Sequence, residues 1–379
     1  MIARPFRFSL HVSACSPRRR AVAPVAAESP PRIPVVMKSA ATSLRDLITC
    51  DASKVVVSTP STNLSLPALP NGLTVMNAAI SQQGGDIHAY VLASDKKVYH
   101  SRRSGSADFG AWKVEQGSGH TMVSALTLSG GAVYSDGATV YASYGGAFGP
   151  LPAGVRVAEV RSTGEAGPFV RGTDGILYRW VSKENAWKPL PGSGITAMAA
   201  SEEDEALAYT DGSVVRYWSS TRGSVALPTL PAGVGVKKLQ ASAQSGDAYV
   251  YALGSDGRVY KTGLRAGGPS FSGWAQLAGA GIVDLSAATS GGGGGEYTDG
   301  RTVYATWGGT LPALPAGVTA NSVVLGAAAD HRTYTYVLAA DGRVYRIASD
   351  AKSWETLPMT GVHGIFLSQT DARLLSSVD

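Results

Sequence analysis

Seven aspartates, Asp95, Asp136, Asp174, Asp211, Asp256, Asp299 and Asp341, recur about every 41 residues. Repeated carboxylates are the first chemistry to weigh, because paired ones hydrolyse glycosides. Here each one stands between two short β-branched or aromatic runs, and all but Asp95 are followed by Gly. Asp-Gly in that setting is hairpin sequence, since Gly takes φ > 0 without a Cβ clash, so a backbone role accounts for all seven. The Asp95-Lys96 turn lacks the Gly and is expected to be looser or of another type. The six histidines (His11, His88, His100, His120, His331, His363) show neither the i, i+4 pairing of a helical zinc site nor a partner cysteine cluster. No Gly-x-Ser-x-Gly nucleophile elbow occurs, and the run Gly291–Gly295 has no following Lys-Ser or Lys-Thr to make it a phosphate loop. No catalytic residue, metal or cofactor is expected.

Two recurring positions suit binding better than catalysis. The residue after the hairpin Tyr in alternate repeats is basic each time: His100, Arg179, Lys261 and Arg346. The same repeats carry a Trp after a polar loop, at Trp112, Trp187, Trp274 and Trp354. An aromatic face stacks on a sugar ring while polar neighbours bond its hydroxyls, and a weak site repeated around a ring gains avidity. The competing reading is structural, with each Trp filling a gap between neighbouring units and each cation capping a solvent-facing strand. A second recurring place, eight residues after the turn Asp, holds Tyr144 and Trp307 but Ser219 in the third case.

The elements that must position these residues are short strands. Repeats of the first kind place Tyr four residues after the Asp (Tyr99, Tyr178, Tyr260, Tyr345); those of the second kind place it five after (Tyr141, Tyr304) or, past Arg216, at Tyr217. The second kind also carries a Leu-Pro-x-Gly segment, as at Leu151–Gly154, Leu230–Gly233, Leu314–Gly317 and Leu69–Gly72; proline's missing N–H puts these at strand starts or outer edges. The chain ends on Leu374-Leu375-Ser376-Ser377-Val378-Asp379, which matches the first half of a repeat, and Asp51–Ser58 supplies a matching second half. An eighth repeat is thus split between the termini, as a closed ring requires. Residues 51–379 divided by eight give about 41 residues each, the length of a propeller blade. The expectation is an all-β, closed β-propeller of eight small blades in four double repeats, with seven blades as the alternative. The ring would be closed by pairing the run near Leu374 with the run near Val56.

Composition agrees: 46 Gly and 20 Pro, 16% charged residues, and no apolar window of transmembrane length, so a soluble protein without a membrane span is expected. The net charge of +5 belongs to the N-terminus. Residues 1–50 hold eight Lys or Arg against two acids, which leaves 25 basic and 26 acidic residues for 51–379, net −1. A near-neutral ring is a poor nucleic-acid ligand, because that binding rests on neutralising phosphates. Residues 1–50 are assigned to a basic, disordered N-terminal segment. Its Arg-rich, acid-poor start resembles an organelle transit peptide, and a plain tail or initiation at Met37 are the alternatives; the sequence does not fix the compartment, which is cytoplasmic, or organellar if the segment is a transit peptide. Cys15 and Cys50 both precede the repeats, so the propeller has no disulfide staple.

The first-kind repeats, for instance Asp174-Gly175-Ile176-Leu177-Tyr178-Arg179 followed by Trp187, and Asp341-Gly342-Arg343-Val344-Tyr345-Arg346 followed by Trp354, resemble tectonin repeats. The run from Leu314-Pro315-Ala316-Gly317-Val318 through His331 to Val344-Tyr345 is similar to repeats of the regulator-of-chromosome-condensation family, without that family's Trp-Gly and Gly-Gln-Leu-Gly elements. The tectonin resemblance implies a β-propeller lectin that binds glycans or glycoconjugates at up to four equivalent sites, built from the Trp and basic residues above. The reading from a different class is a propeller scaffold that binds a protein partner and no sugar.

Overall fold

The computed structural model describes residues 47–50, 55–58, 63–83, 85–126, 130–163, 167–201, 205–288, 293–327, 333–358, 360–368 and 373–378. The basic segment before Leu47, His331 and Gly291–Gly292 lie outside them.

The described residues form eight sheets, numbered I to VIII. Sheet I comprises Val75–Gln83, Asp86–Ala93, Val98–Arg103 and Lys113–Val114; sheet II Met122–Leu126, Gly131–Ser135, Val140–Ala142 and Gly146–Ala147. Sheet III is Val157–Ser162, Pro168–Gly172, Leu177–Val181 and Ala186–Pro189; sheet IV Ala197–Ser201, Ala206–Thr210, Val215–Ser219 and Gly223–Ala226. Sheet V is Val236–Gln244, Asp247–Gly254, Val259–Leu264 and Ala275–Gln276, and sheet VII Ala320–Ala327, Thr333–Ala339, Val344–Ala348 and Glu355–Thr356. In these six the strands follow chain order and pair antiparallel, as hairpin-linked strands must. Sheet VI stops at three, Asp284–Ala287, Gly295–Thr298 and Val303–Ala305, with only an isolated bridge from Tyr304 to Thr310 where a fourth strand would lie.

Sheet VIII joins the two ends of the chain in the order Val362–Ser368, Arg373–Val378, Leu47–Cys50, Val55–Ser58, Asn63–Ser65. The run near Leu374 does not pair directly with the run near Val56. Leu47–Cys50 comes between them, parallel to the former (Ile48 opposite Leu375) and antiparallel to the latter (Cys50 opposite Val55). The repeat arithmetic left no room for it because it is a fifth strand, outside the repeat. A β-rich Leu-Ile-Thr-Cys run satisfies the backbone groups of two strands at once, and it lies within residues 1–50, before the boundary expected at 51.

No single centre holds the apolar core. It is divided among the seams between consecutive sheets: Tyr90, Leu92 and Tyr134 between I and II; Val133, Val170 and Trp180 between II and III; Phe169, Leu207 and Trp218 between III and IV. The pattern continues through Ala208 and Val250, then Tyr251 and Tyr297, Val303 and Val337, and Tyr336 and Ile365. Leu66 and Leu69, following the last strand of sheet VIII, pack on Ile80 and Val91 of sheet I. Strand alternation explains the division, because successive side chains face opposite seams. First strands also touch in order, and that of sheet VIII contacts that of sheet I. A cavity of about 490 Å³ lies where first-strand residues of sheets III, V, VI, VII and VIII converge. There Lys238 Nζ pairs with Asp284 at 2.6 Å, and the same carboxylate accepts the Val323 N–H at 2.9 Å.

Each turn aspartate is spent on its own hairpin. In first-kind turns Oδ1 accepts the N–H two residues on (Lys97, Ile176, Arg258, Arg343, at 3.0–3.1 Å), and Oδ2 accepts the hydroxyl of Tyr99, Tyr178 or Tyr260 at 2.6–2.8 Å. In second-kind turns Oδ1 takes two N–H groups, as Asp299 does from Arg301 and Thr302. The Asp95 turn is not looser. Lys96 adopts φ 62°, close to the 72–74° of Gly175, Gly257 and Gly342, and donates to Ala93 at 2.9 Å as those glycines do at 3.0 Å. The Asp bonds and the flanking pairing impose the turn on a residue that pays the left-handed penalty.

Candidate functional site

The four Trp side chains occupy one equivalent place. Trp112 donates its indole N–H to the carbonyl of Pro67, Trp187 to Gly149, Trp274 to Pro228 and Trp354 to Pro312, at 2.6–2.8 Å. Each acceptor belongs to the preceding second-kind repeat, and each ring packs on its apolar residues, such as Leu66 and Leu69 under Trp112 or Leu227 and Leu230 under Trp274. Trp187 is buried and the other three are half-buried. The Leu-Pro segments therefore supply both a carbonyl and an apolar floor for the next sheet's Trp.

The four basic residues sit on the third strands of the same sheets and face the other way, toward the following sheet. Tyr178 and Trp180 pack into the seam with sheet II, whereas Leu177 packs into the seam with sheet IV, and Arg179 lies with it, its guanidinium 4.9 Å over Trp218 of sheet IV. The structure thus separates the Trp set from the basic set, and no site combining both forms. Each of the four stands directly opposite a buried ring on the neighbouring strand: His100 opposite Tyr90, Arg179 opposite Phe169, Lys261 opposite Tyr251, Arg346 opposite Tyr336. His100 stacks on Tyr90 at 4.5 Å, Lys261 Nζ lies 4.7 Å over Tyr249, and Arg346 lies 5.9 Å over Tyr334 while bonding Glu355. These are cation–π or stacked contacts in seams. Across the seam Tyr90 hydroxyl reaches Gly130 O and Ser143 Oγ, and Tyr251 hydroxyl reaches Gly293 O and Thr306 Oγ1. Where the ring is Phe169, with no hydroxyl, the Ser or Thr position is filled by Trp218 instead, so ring and partner change together.

Two seams carry a carboxyl that sequence reasoning passed over. Glu115 stands where the other first-kind sheets have Leu190, Leu277 and Leu357; all four donate their N–H to the corresponding strand carbonyl. Burial pushes its pKa up to about 7. Next to it His100 Nε2 and His88 Nδ1 lie 3.0 Å apart, and burial holds both rings down to about 4. The 3.5 Å approach of His100 to Glu115 is therefore a contact of a neutral ring with a carboxyl at neutral pH, not an ion pair.

Glu296 stands where sheets II and IV have Val133 and Ala208, each paired with the matching residue of the next strand (Ala305, Ala142, Tyr217). It is 1% exposed, Thr335 hydrogen-bonds the carboxyl, Oε2 has no hydrogen-bond partner among the described residues, and burial raises its pKa to about 8. Thr335 is itself an exception, replacing Ala89, Pro168 and Val250 of the equivalent strands. Glu296 lines a cleft of about 530 Å³ with Lys261, Tyr249, Thr335 and the 55% exposed Trp307. The cleft opens beside sheet VI, whose outer strand is missing; sheets II and IV fill that place with Gly146–Ala147 and Gly223–Ala226. Among the described residues no group of three His, Cys, Asp or Glu is arranged to hold a metal, and no helix is long and apolar enough to cross a membrane.

No protein-family model matches the chain, and no curated protein matches it. Solved structures do. A dihydro-heme d1 dehydrogenase, NirN, in complex with DHE superposes with a TM-score of 0.60 at 12% identity, over 88% of this chain and 77% of that one. The Dos1 propeller (TM-score 0.44, 13% identity, 65% of this chain and 72% of that one) and a chain of the mitotic checkpoint complex (0.45, 13%, 78% and 95%) overlap more loosely. At such identities the likeness concerns fold alone, and with the sheet arrangement it makes this chain a β-propeller.

Proposed function

We propose that the chain is a closed propeller of eight blades that serves as a non-catalytic scaffold for a protein partner rather than as a lectin. Eight sheets with apolar seams between neighbours, including the one from sheet VIII to sheet I, support eight blades over seven. The pairing of Arg373–Val378 with Leu47–Cys50 supports closure by both termini, which removes the exposed edges of an open array.

One observation carries the functional reading: the motif repeated four times is used inside the seams. Each Trp gives its N–H to the preceding sheet and each cation lies against buried rings, so the repetition serves to join sheets. A multivalent lectin instead needs the repeated element open to its ligand. The exposed large apolar side chains among the described residues are Met76, Val114, Tyr144, Val283 and Trp307, and they do not recur in every repeat. That irregular surface suits one partner of one kind. The turn aspartates, committed to N–H groups and tyrosine hydroxyls, favour a role without catalysis. A glycan array probed with the full chain is expected to be blank. A partner fixed by cross-linking in cells is expected to bind one to one and to weaken at least tenfold when Met76 and Val283, both at the starts of first strands, are changed to Asp. Four equal weak glycan sites, reduced to three in a folded Trp274→Phe variant, would reverse the assignment in favour of a lectin.

A further inference from the structure

The cleft beside sheet VI lies where sheets II and IV carry a fourth strand. Three departures from the repeat pattern meet there: the fourth strand is missing, a carboxyl replaces Val133 and Ala208, and a hydroxyl at Thr335 replaces Ala89, Pro168 and Val250. A buried polar group costs stability unless it is satisfied. Glu296 Oε2 is buried, has no hydrogen-bond partner among the described residues and borders the cleft, so a ligand is the group that would complete it. On the other side of the truncated sheet Lys261 also borders the cleft, its ammonium 4.7 Å over Tyr249 and 5.8 Å from the Tyr251 ring. The Lys261 ammonium faces the seam between sheets V and VI and the Glu296 carboxyl faces Thr335 of sheet VII, so the two groups sit apart, and both line the cleft. A ligand ammonium at Glu296 sends the proton that burial holds there to solvent and pairs with the resulting carboxylate, and a ligand carboxylate pairs with Lys261, so a ligand carrying both charges satisfies the two ends together. The cavity, about 530 Å³, falls in the range of small-molecule sites, and Trp307 on its rim offers an apolar wall.

We propose that this cleft binds a small zwitterion of amino-acid to dipeptide size, its ammonium group on Glu296 and its carboxylate on Lys261, with the side chain against Trp307. The site is independent of any protein partner. The test is calorimetric titration and thermal melting of the full chain with leucine and the dipeptide Gly-Leu, beside isoamylamine and isocaproate, which each lack one charge, and glucose, which lacks both. At least one zwitterion should bind with a submillimolar Kd and raise Tm, and the single-charge analogues should bind at least tenfold more weakly. Glu296→Gln and Lys261→Met should each weaken the zwitterion at least tenfold. Because Glu296→Gln removes a buried ionisable group, that variant should melt higher than the parent at neutral pH, which separates lost binding from lost folding. The proposal is overturned if neither zwitterion binds at 10 mM, if both variants bind as the parent does, or if glucose binds as tightly as the zwitterions.

Discussion

Glu296 makes a quantitative prediction about stability against pH. Its pKa is about 8 in the folded protein against an ordinary 4.5, because burial disfavours the charged form. The folded pKa is the higher one, so between pH 4.5 and 8 the native state holds a proton that the unfolded chain has released. The group's favourable contribution is complete below pH 4.5 and is lost as pH rises through 8, at a slope of about 1.4 kcal/mol per pH unit. Over the window this amounts to about 5 kcal/mol, of which about 3 has been lost by pH 7. The raw profile of the protein is composite: Glu115, raised to about 7, adds a loss of the same sign, whereas His88 and His100, lowered to about 4, add stability as pH rises from 4 to 6.5. The difference between parent and Glu296→Gln isolates one carboxyl, since Gln keeps the shape and the bond to Thr335 without titrating. Urea unfolding of both proteins at pH 5, 6, 7 and 8 should show the variant's advantage widening by about 1.4 kcal/mol per unit. A gap that stays constant across that range would mean that Glu296 titrates normally, and the argument from burial fails.

Three further changes test the architecture. Lys96→Gly should stabilise the protein by about 1 kcal/mol, the left-handed penalty that Lys96 carries at φ 62°, measured as a shift in urea midpoint; destabilisation would mean that the turn is not of the Gly type. Trp187→Ala should cost about 3–5 kcal/mol through the lost ring, and Trp187→Phe about 1–3 kcal/mol by leaving the Gly149 carbonyl without its donor; variants as stable as the parent would free the Trp for a binding role. A chain ending at His363 removes Arg373–Val378 and nearly all of Val362–Ser368 and should lose cooperative unfolding and aggregate, because Leu47–Cys50 loses its parallel partner and sheet VIII its first two strands; a monomer with an unchanged melting curve would refute closure by the termini.

The repeat was legible because it is written in residues with narrow backbone roles. Asp-Gly and the Tyr at a fixed distance are one hydrogen-bonded device, and finding them located the hairpin of every sheet from I to VII. The strand Leu47–Cys50 was missed because it belongs to no repeat, and short β-rich runs before a domain carry no periodic mark. The Trp and the cations were grouped by proximity in sequence, although strand alternation already separates them: Arg179 follows Tyr178, so the two side chains face different seams, and the Trp lies on the Tyr178 side.

Glu115 and Glu296 were present in the sequence in a form that residue types alone do not reveal. Each is unremarkable until the repeats are aligned on their turn aspartates, when a carboxyl stands in a column that holds Leu190, Leu277 and Leu357, or Val133 in sheet II, Ala208 in sheet IV and the small Ser376 in the split repeat. In an array whose stability is built seam by seam, an apolar column is the cheapest solution at each seam, so a polar substitution marks a seam that answers to something besides packing. The two carboxyls answer differently. Glu115 has His100 and the Tyr134 hydroxyl, 3.4 Å away, as protein partners, which closes a local network. Glu296 has Thr335 on one side only and a cleft on the other, and that asymmetry is why a bound molecule is sought there and not at Glu115.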